Sequence, residues 1–264
     1  MKKESRGRRE HPAAHHTNRD LACLFPELAI PAADVSRCND SWRLAGLTDK
    51  GRRAAGNMLD IIDALGKRYA RMAEILQKGG TFSNLDIDQL LREDHHWGKI
   101  SDDEQTEARD AWYGASERLI AMTGEASENP RLRKATYKAY GARKAGIGLH
   151  RDSNFPNNDT QEVASVGLRG VNRFSVWAVP ESLGLEVEEY VGKLVDPEVG
   201  ITVRHDDQVM RLKPISTMSQ AAGDIVHIDE AYGRWISDDL GAMTVWHSAQ
   251  RAGEETRIGA IIRS

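Results

Sequence analysis

A short His-x-Asp motif is the part of the sequence with the clearest chemical potential. His150 and Asp152 end a predicted strand, and residues two apart in a strand point to the same side. Both side chains could therefore bind one metal ion, with His247, at the end of a distant predicted strand, as a third ligand. Two imidazoles and one carboxylate on one face of an octahedral ion leave three positions open, an arrangement that suits non-haem Fe(II). The pattern predicts His150, Asp152 and His247 as metal ligands and as the catalytic centre.

An arginine ten residues after His247 supports this prediction. Arg257 begins the apolar run Arg257–Arg263, and a buried guanidinium needs an anion because its donors are costly to leave unpaired. A dicarboxylate co-substrate bound to iron at one end would present its other carboxylate to Arg257, which could hold it in a bidentate pair. Arg257 is therefore a candidate co-substrate ligand.

Together these residues resemble the Fe(II)/2-oxoglutarate-dependent dioxygenases with a double-stranded β-helix core. The resemblance covers Ala135 to Ser264, and Gly223-Asp224 is similar to the family's turn into the strand before the distal histidine. It implies Fe(II), 2-oxoglutarate as co-substrate and O₂, with succinate and CO₂ as products and a substrate C–H bond oxidised. Because the family's halogenases have Gly or Ala at the position of Asp152, the resemblance implies a hydroxylase. Desaturation, cyclisation and demethylation stay open.

Two further residues are similar to those of the AlkB and prolyl-hydroxylase-like branches of that superfamily. Tyr140 resembles a strand tyrosine that contacts 2-oxoglutarate, and Arg263, six residues after Arg257, resembles the second of the paired arginines of the AlkB branch. Both are therefore predicted to bind the co-substrate with Arg257. The chain departs from the AlkB pattern because the two histidines are 97 residues apart and Gly259 replaces an asparagine. These departures weaken an assignment to nucleic-acid repair.

Other histidines compete with His247 as the distal ligand. His227 lies in a predicted strand, but no arginine follows it at the same distance. His205 precedes two aspartates that predict a hairpin tip. The adjacent His95 and His96 are expected on the surface, since neighbouring residues cannot easily share one ion. His247 is therefore preferred.

Hydrophobic periodicity divides the chain into a helical part and a strand-rich part. Helices are expected over 51–79, over 84–93 with Ser83 as the N-cap, and over 102–123 with a capping box of Ser101 and Glu104. Strands separated by turn residues are expected at Thr136–Tyr140, Gly146–His150, Arg173–Val179, Gly200–Arg204, Gln208–Leu212, Asp224–Ile228, Met243–His247 and Arg257–Arg263. One helical insertion is expected over Pro180–Leu194.

These elements predict an α+β protein, and the resemblance implies a double-stranded β-helix (jelly-roll) core with an N-terminal helical region packed on it. We expect a flexible or irregular N-terminal segment at 1–45 and the helical region at 46–130. The catalytic core is expected at 131–264, with an insertion near 180–215.

Composition limits the class of protein. The 264 residues are 40% hydrophobic and 29% charged, as in an ordinary globular protein. Six Trp, six Tyr and the regular apolar segments exclude disorder throughout. No apolar run reaches the roughly 18 residues that span a bilayer. Two cysteines, Cys23 and Cys38, cannot form a disulfide framework, so we expect reduced thiols in a cytoplasmic protein. The net charge of −4 disfavours nucleic acid as a partner without excluding it.

The expected function is therefore the oxidation of a small molecule by a non-haem iron enzyme. Arg131–Arg151 contains seven basic residues and no acidic one, which favours an anionic substrate unless acids of the 102–110 helix neutralise the run. The alternatives are an AlkB-like nucleic-acid demethylase and a non-catalytic cupin-like binding protein. The sequence predicts neither the substrate's identity nor the oligomeric state.

Overall fold

The computed structural model describes residues 25–141, 145–151, 162–229 and 233–264. Helices dominate the part before residue 130 and strands the part after it, as the periodicity predicts. The elements are, in chain order, α1 (Ala32–Asp40), β1 (Trp42–Gly46), α2 (Asp49–Arg68), α3 (Ala70–Lys78), β2 (Gly80–Phe82), α4 (Asn84–His96), α5 (Asp102–Ala126), β3 (Lys134–Tyr140), β4 (Gly146–His150), β5 (Glu162–Arg169), β6 (Val171–Pro180), a 3₁₀ turn (Glu181–Leu183), α6 (Gly184–Glu188), β7 (Ile201–His205), β8 (Gln208–Leu212), β9 (Ser216–Gln220), β10 (Asp224–Asp229), β11 (Arg234–Ser237), β12 (Gly241–Ala252) and β13 (Arg257–Arg263).

The strands form two antiparallel sheets that face each other, together with the hairpin β7-β8. The larger sheet has the order β1-β10-β5-β13-β3-β2; the smaller has the order β11-β12-β6-β9, with β4 also paired to β12. Apolar side chains from both inner faces share one core, including Phe174 and Val176 of β6, Val226 and Ile228 of β10, and Val245 of β12. Burial of these side chains holds the sheets together.

Helices α2 to α5 cover the outer face of the larger sheet. Trp112 of α5 is fully buried and meets the ring of Tyr137 edge-on, with centroids 5.1 Å apart. Its indole N–H donates to Asn84 at 2.8 Å, and the Tyr137 hydroxyl donates to Ser116 at 2.8 Å. Burial raises the pKa of Tyr137 to about 12. None of the helices in the described stretches is long and apolar enough to cross a membrane.

The predicted capping box at Ser101 and the predicted N-cap at Ser83 are both confirmed, and Ser83 also forms a capping box. Ser83 precedes α4 and exchanges hydrogen bonds with Asp86, and Ser101 precedes α5 and does the same with Glu104. These contacts satisfy backbone N–H groups that the first helical turn leaves unpaired. Hydrogen bonding to Ser101 also lowers the pKa of Glu104. The helix starts were therefore readable from local sequence.

Other predicted elements differ from the structure. The helix expected over 51–79 is two helices, because Tyr69 adopts an extended conformation (φ −113°, ψ 118°) between α2 and α3. Part of the N-terminal segment expected to be irregular forms α1 and β1. The insertion helix expected over Pro180–Leu194 is reduced to a 3₁₀ turn and the five residues of α6. Strands β1, β2, β5, β9 and β11 had no prediction, and β5 lacks the alternating pattern because both its faces are buried.

Candidate metal and co-substrate site

His150 and His247 lie opposite each other on neighbouring antiparallel strands. The register of β4 and β12 pairs them directly, and their ring centroids are 4.2 Å apart. The register shifts between this pair and Ala249–Ile147, so β4 carries an extra residue in that interval. Because of this bulge, His150 and Ile147 both line the space between the sheets, although strict alternation would send them to opposite faces.

The geometry of this pair suits a shared metal ion. The Nδ1 of His150 lies 2.8 Å from the backbone oxygen of Gly148, which can only accept, so Nδ1 donates and the lone pair of the neutral ring is on Nε2. A metal–nitrogen bond of about 2.1 Å places a ring centroid about 3.2 Å from the ion, so two imidazoles at a right angle have centroids about 4.5 Å apart. The distance in the structure is close to this value.

The third predicted ligand, Asp152, lies outside the described residues. Within those residues, no group of three His, Cys, Asp or Glu side chains converges as a metal site would require. The histidine pair is therefore two ligands of the predicted three, and Asp152 as the third stays a prediction.

A narrow cavity between the sheets adjoins the histidines. It is lined by His150 and His247 with Lys138, Tyr140, Ser165 and Phe174, among apolar neighbours. The ring of Phe174 stacks on His247 with centroids 5.5 Å apart. The cavity measures about 20 Å³, the room of a single water molecule. A larger ligand therefore binds only if lining side chains move.

Arg257 is buried beside this cavity, and no acidic side chain pairs with it within the part of the chain that the structure describes. Its guanidinium lies over the ring of Tyr140, 4.9 Å from the centroid, and its Nη2 donates to Oε1 of Gln220 at 2.9 Å. Its Nε and Nη1 are buried and meet no acceptor among the described residues. Burial lowers the pKa of Arg257, an effect that Tyr140 opposes. A guanidinium keeps its proton in proteins, so this part of the chain presents a buried cation with two donors that meet no acceptor among the described residues.

Gly259 makes room for this guanidinium. A Cβ at position 259 would lie 3.0 Å from Nη2 of Arg257 and 3.0 Å from the backbone oxygen of Val166. The arginine side chain therefore folds back over the next inward-facing position of β13. A side chain there would compete with the guanidinium for space.

The two other predicted co-substrate ligands have different surroundings. Tyr140 pairs with Arg257 across β3 and β13, so the pair is adjacent. Arg263 pairs with Lys134 and Val163 at the other end of β13. Six residues of strand separate the two arginines by about 20 Å. A role for Arg263 in the same site stays a prediction.

The competing histidines lie elsewhere. His227 is on the outer face of β10, where its Nε2 is 3.1 Å from Nδ2 of Asn129. Burial and Arg43 lower its pKa, while Glu162 and Asp229 act in the opposite direction. His205 ends β7 at the tip of the β7-β8 hairpin, as expected. His227 therefore faces away from the histidine pair.

The adjacent His95 and His96 end helix α4, which extends beyond the helix expected over 84–93. Nε2 of His95 lies 2.5 Å from a carboxylate oxygen of Asp102, and the ring of His96 meets Trp97 edge-on. Both histidines are exposed, as predicted.

A wider cleft of about 760 Å³ surrounds His227 on the outer face of the larger sheet. Its walls include Trp42, Arg43, Asn129 and Glu162. The smaller cavity is the candidate site because two imidazoles line it and the buried Arg257 lies over Tyr140, which also lines it. The cleft instead joins one histidine to charges of both signs.

The basic run from Arg131 to Arg151 does not form one positive surface in the described residues. Arg131 lies 3.7 Å from Glu162, while Lys138 lines the inner cavity. Arg151 lies over the ring of Trp246, on the outer face of the smaller sheet. Arg143 and Lys144 lie outside the described residues. Strand alternation sends the described charges to opposite faces, and of these Lys138 is the one that lines the inner cavity and supports an anionic substrate.

Three side chains of the site had no sequence prediction. Phe174 stacks on His247, Ser165 lines the cavity, and Gln220 binds Arg257. Gln220 ends β9, whose sequence Ser-Thr-Met-Ser-Gln is too polar to predict a strand, and no local signal could have connected it to Arg257. Such contacts depend on how the two sheets come together.

Comparisons with known proteins leave the family open. No protein-family model matches the chain, and no curated protein matches it either. Two structures of YcfD from Escherichia coli, one described as a ribosomal oxygenase, are 16% and 17% identical with TM-scores of 0.31. In both cases the matched region covers 58% of this chain. It covers 30% of the YcfD chain in the first structure and 28% in the second. This chain therefore matches less than a third of that protein's length.

Two more solved structures show partial likeness. A prolyl-4-hydroxylase from Pseudomonas putida is 15% identical over 78% of this chain and 93% of its own, with a TM-score of 0.24. Drosophila melanogaster CENP-C, solved bound to CAL1, is 13% identical over 49% of this chain and 64% of its own, with a TM-score of 0.25. Scores in this range do not define a shared fold, so the functional assignment depends on the site's own residues.

Proposed function

We propose that the protein is an Fe(II)- and 2-oxoglutarate-dependent dioxygenase that oxidises a C–H bond of a small anionic molecule. Its core would be a double-stranded β-helix of the kind the sequence resembles. The observation that carries the proposal is the convergence, between two facing sheets, of an opposed histidine pair and a buried arginine with unused donors. A carboxylate is the ligand that such an arginine fits.

The residues have separate roles in this proposal. His150 and His247 hold Fe(II) through one nitrogen each, with Asp152 as the third ligand. Arg257 binds the distal carboxylate of 2-oxoglutarate, beside the ring of Tyr140. Bound Fe(II) and 2-oxoglutarate supply the oxidising chemistry, in which O₂ is consumed, succinate and CO₂ are formed and a substrate C–H bond is oxidised.

The surroundings of the histidines support the same proposal. The Gly148 carbonyl holds the His150 ring in one tautomer, and Phe174 restricts rotation of His247. Lys138, the charged side chain that lines the cavity, is the candidate contact for an anionic substrate. A cytoplasmic location belongs to the proposal too, supported by the buried free thiol of Cys38.

The test is succinate release from the purified protein supplied with Fe(II), 2-oxoglutarate and ascorbate in air. Amino acids, peptides, nucleotides and a methylated oligonucleotide are offered in separate reactions, with the double variant His150→Ala/His247→Ala as the control. We expect succinate from the unmodified protein alone, with a small acid as the best stimulant. Stimulation by the oligonucleotide would favour the demethylase alternative. Absence of both succinate and Fe(II) binding would overturn the proposal and leave the cupin-like binding protein.

A further inference from the structure

Gln220 connects the two sheets beside Arg257. It is the last residue of β9, in the smaller sheet, and its side chain is completely buried. From there it reaches Arg257 of β13 and Ser165 of β5, both in the larger sheet. Gln220 is therefore placed where it can orient the arginine from the opposite wall of the site.

The orientation of the Gln220 amide follows from its neighbours. Its Nε2 donates to the backbone oxygen of Ser165 at 2.5 Å and lies 3.4 Å from that of Asp224. A backbone oxygen can only accept, so the nitrogen must face these two groups and Oε1 must face Arg257. Oε1 accepts from Nη2 at 2.9 Å. One donor of the guanidinium is thus fixed, and Nε and Nη1 remain for a ligand.

The amide is also neutral, which matters for a buried cation. A glutamate at this position would have nearly the same shape and would supply an internal counter-ion at the same distance, while its second oxygen would face the Ser165 backbone oxygen without a proton to donate. Glutamine aligns the guanidinium without adding a negative charge, and no acidic side chain in the described ranges compensates the cation, so the charge is available to an incoming anion. Asn172, which pairs with Gln220 across β6 and β9 and lies 3.4 Å from its Oε1, is likewise neutral.

We propose that Gln220 is a positioning residue that keeps Arg257 aligned and electrically uncompensated, and thereby sets the preference of the site for a ligand with a second carboxylate. The proposal rests on the function proposed above. Gln220 belongs to the wall of the site opposite Arg257, and its contact makes the guanidinium selective for a dicarboxylic keto acid over a monocarboxylic one. Gln220 acts through Arg257 and needs no contact with the ligand.

Calorimetric titration of two keto acids tests this, with and without Mn²⁺ as a redox-inert metal. The acids are 2-oxoglutarate and 2-oxopentanoate, which has the same chain length but lacks the distal carboxylate. The unmodified protein should prefer 2-oxoglutarate. In Gln220→Glu we expect the preference to fall about tenfold or more, through weaker binding of 2-oxoglutarate, while binding of 2-oxopentanoate changes little.

Two further variants keep the test decisive. Gln220→Met has a similar volume and no charge. It should lose part of the preference for 2-oxoglutarate, because the guanidinium is no longer aligned. This variant also tests the proposal if Gln220→Glu does not fold. Gln250→Glu makes the same amide-to-acid change at a half-buried side chain that donates to the Val195 carbonyl, and it should keep the preference. If Gln220→Glu and Gln220→Met both discriminate as the unmodified protein does, the role of Gln220 is wrong. If the unmodified protein shows no preference, the proposed function itself fails.

Discussion

His150 and His247 face each other across one antiparallel strand pair, although 97 residues separate them in the chain. The bulge in β4 turns His150 into the space between the sheets. Gly148 is part of this bulge and lies against the backbone of Lys193. A Cβ at Gly148 would lie 2.3 Å from the Lys193 oxygen, so only glycine fits there. The alignment of the histidines thus depends on a local irregularity supported by the segment after α6.

Metal binding should depend on the histidine pair and not on His227. In His247→Ala, anaerobic calorimetry should show Fe(II) affinity reduced by about 100-fold or more, since loss of a ligand exceeds the 10–100-fold effect of its supporting contacts. His227→Ala is the matched control, because His227 points to the opposite face of the larger sheet. Equal losses in both variants would contradict the assignment of His247.

Binding of 2-oxoglutarate should depend on the shape as well as the charge of Arg257. Arg257→Ala should weaken binding by a few kcal/mol, because a buried carboxylate loses a charged two-donor partner. Arg257→Lys should recover only part of this, since an ammonium cannot reproduce the planar fork. The measurement is a calorimetric titration of each variant. Arg263→Ala, at the far end of the same strand, serves as the comparison. If it weakens 2-oxoglutarate binding as much as Arg257→Ala does, both arginines belong to the site.

Gly259→Ala should destabilise the fold by about 1–3 kcal/mol and weaken 2-oxoglutarate binding. The new methyl group meets both the Arg257 guanidinium and the rigid Val166 carbonyl, so relaxation is limited. Urea unfolding measures the first effect and titration the second. Gly114→Ala, at an exposed position of α5 where nothing lies within 4 Å, should instead gain up to about 1 kcal/mol. Unchanged binding in Gly259→Ala would show that the guanidinium tolerates displacement.

Acid sensitivity of the fold should decrease in His227→Gln. The pKa of His227 is lowered in the folded protein by burial and by Arg43, so the unfolded chain takes up its proton first. The stability associated with neutral His227 is therefore complete above the ordinary histidine pKa of about 6.5 and is lost as pH falls through the lower, folded value. Glutamine keeps an acceptor for Asn129 but does not titrate. Urea unfolding between pH 7.5 and 5 should show a smaller loss in the variant; parallel curves would contradict this account.

The helix starts and several strands were predictable because their signals are local. Capping boxes at Ser83 and Ser101 involve residues three apart, and β4, β8 and β13 have the predicted bounds. The break at Tyr69 and the polar strand β9 were not predictable, because each depends on packing against distant elements. Tyr69 is buried in the core shared by the helices and the larger sheet, and β9 is held by its pairing with β6.

The sequence by itself determined which side chains could do chemistry: a His-x-Asp motif, a distal histidine and an arginine in an apolar run, each visible within a few residues. Only the tertiary structure decided that His247 and not His227 faces His150, since strand alternation and one bulge set which face each side chain occupies. It also decided that the partner of Arg257 is Gln220, a neutral side chain on the opposite sheet. The physical reason is that side-chain type is a local property, whereas register, burial and charge compensation arise only when distant strands meet.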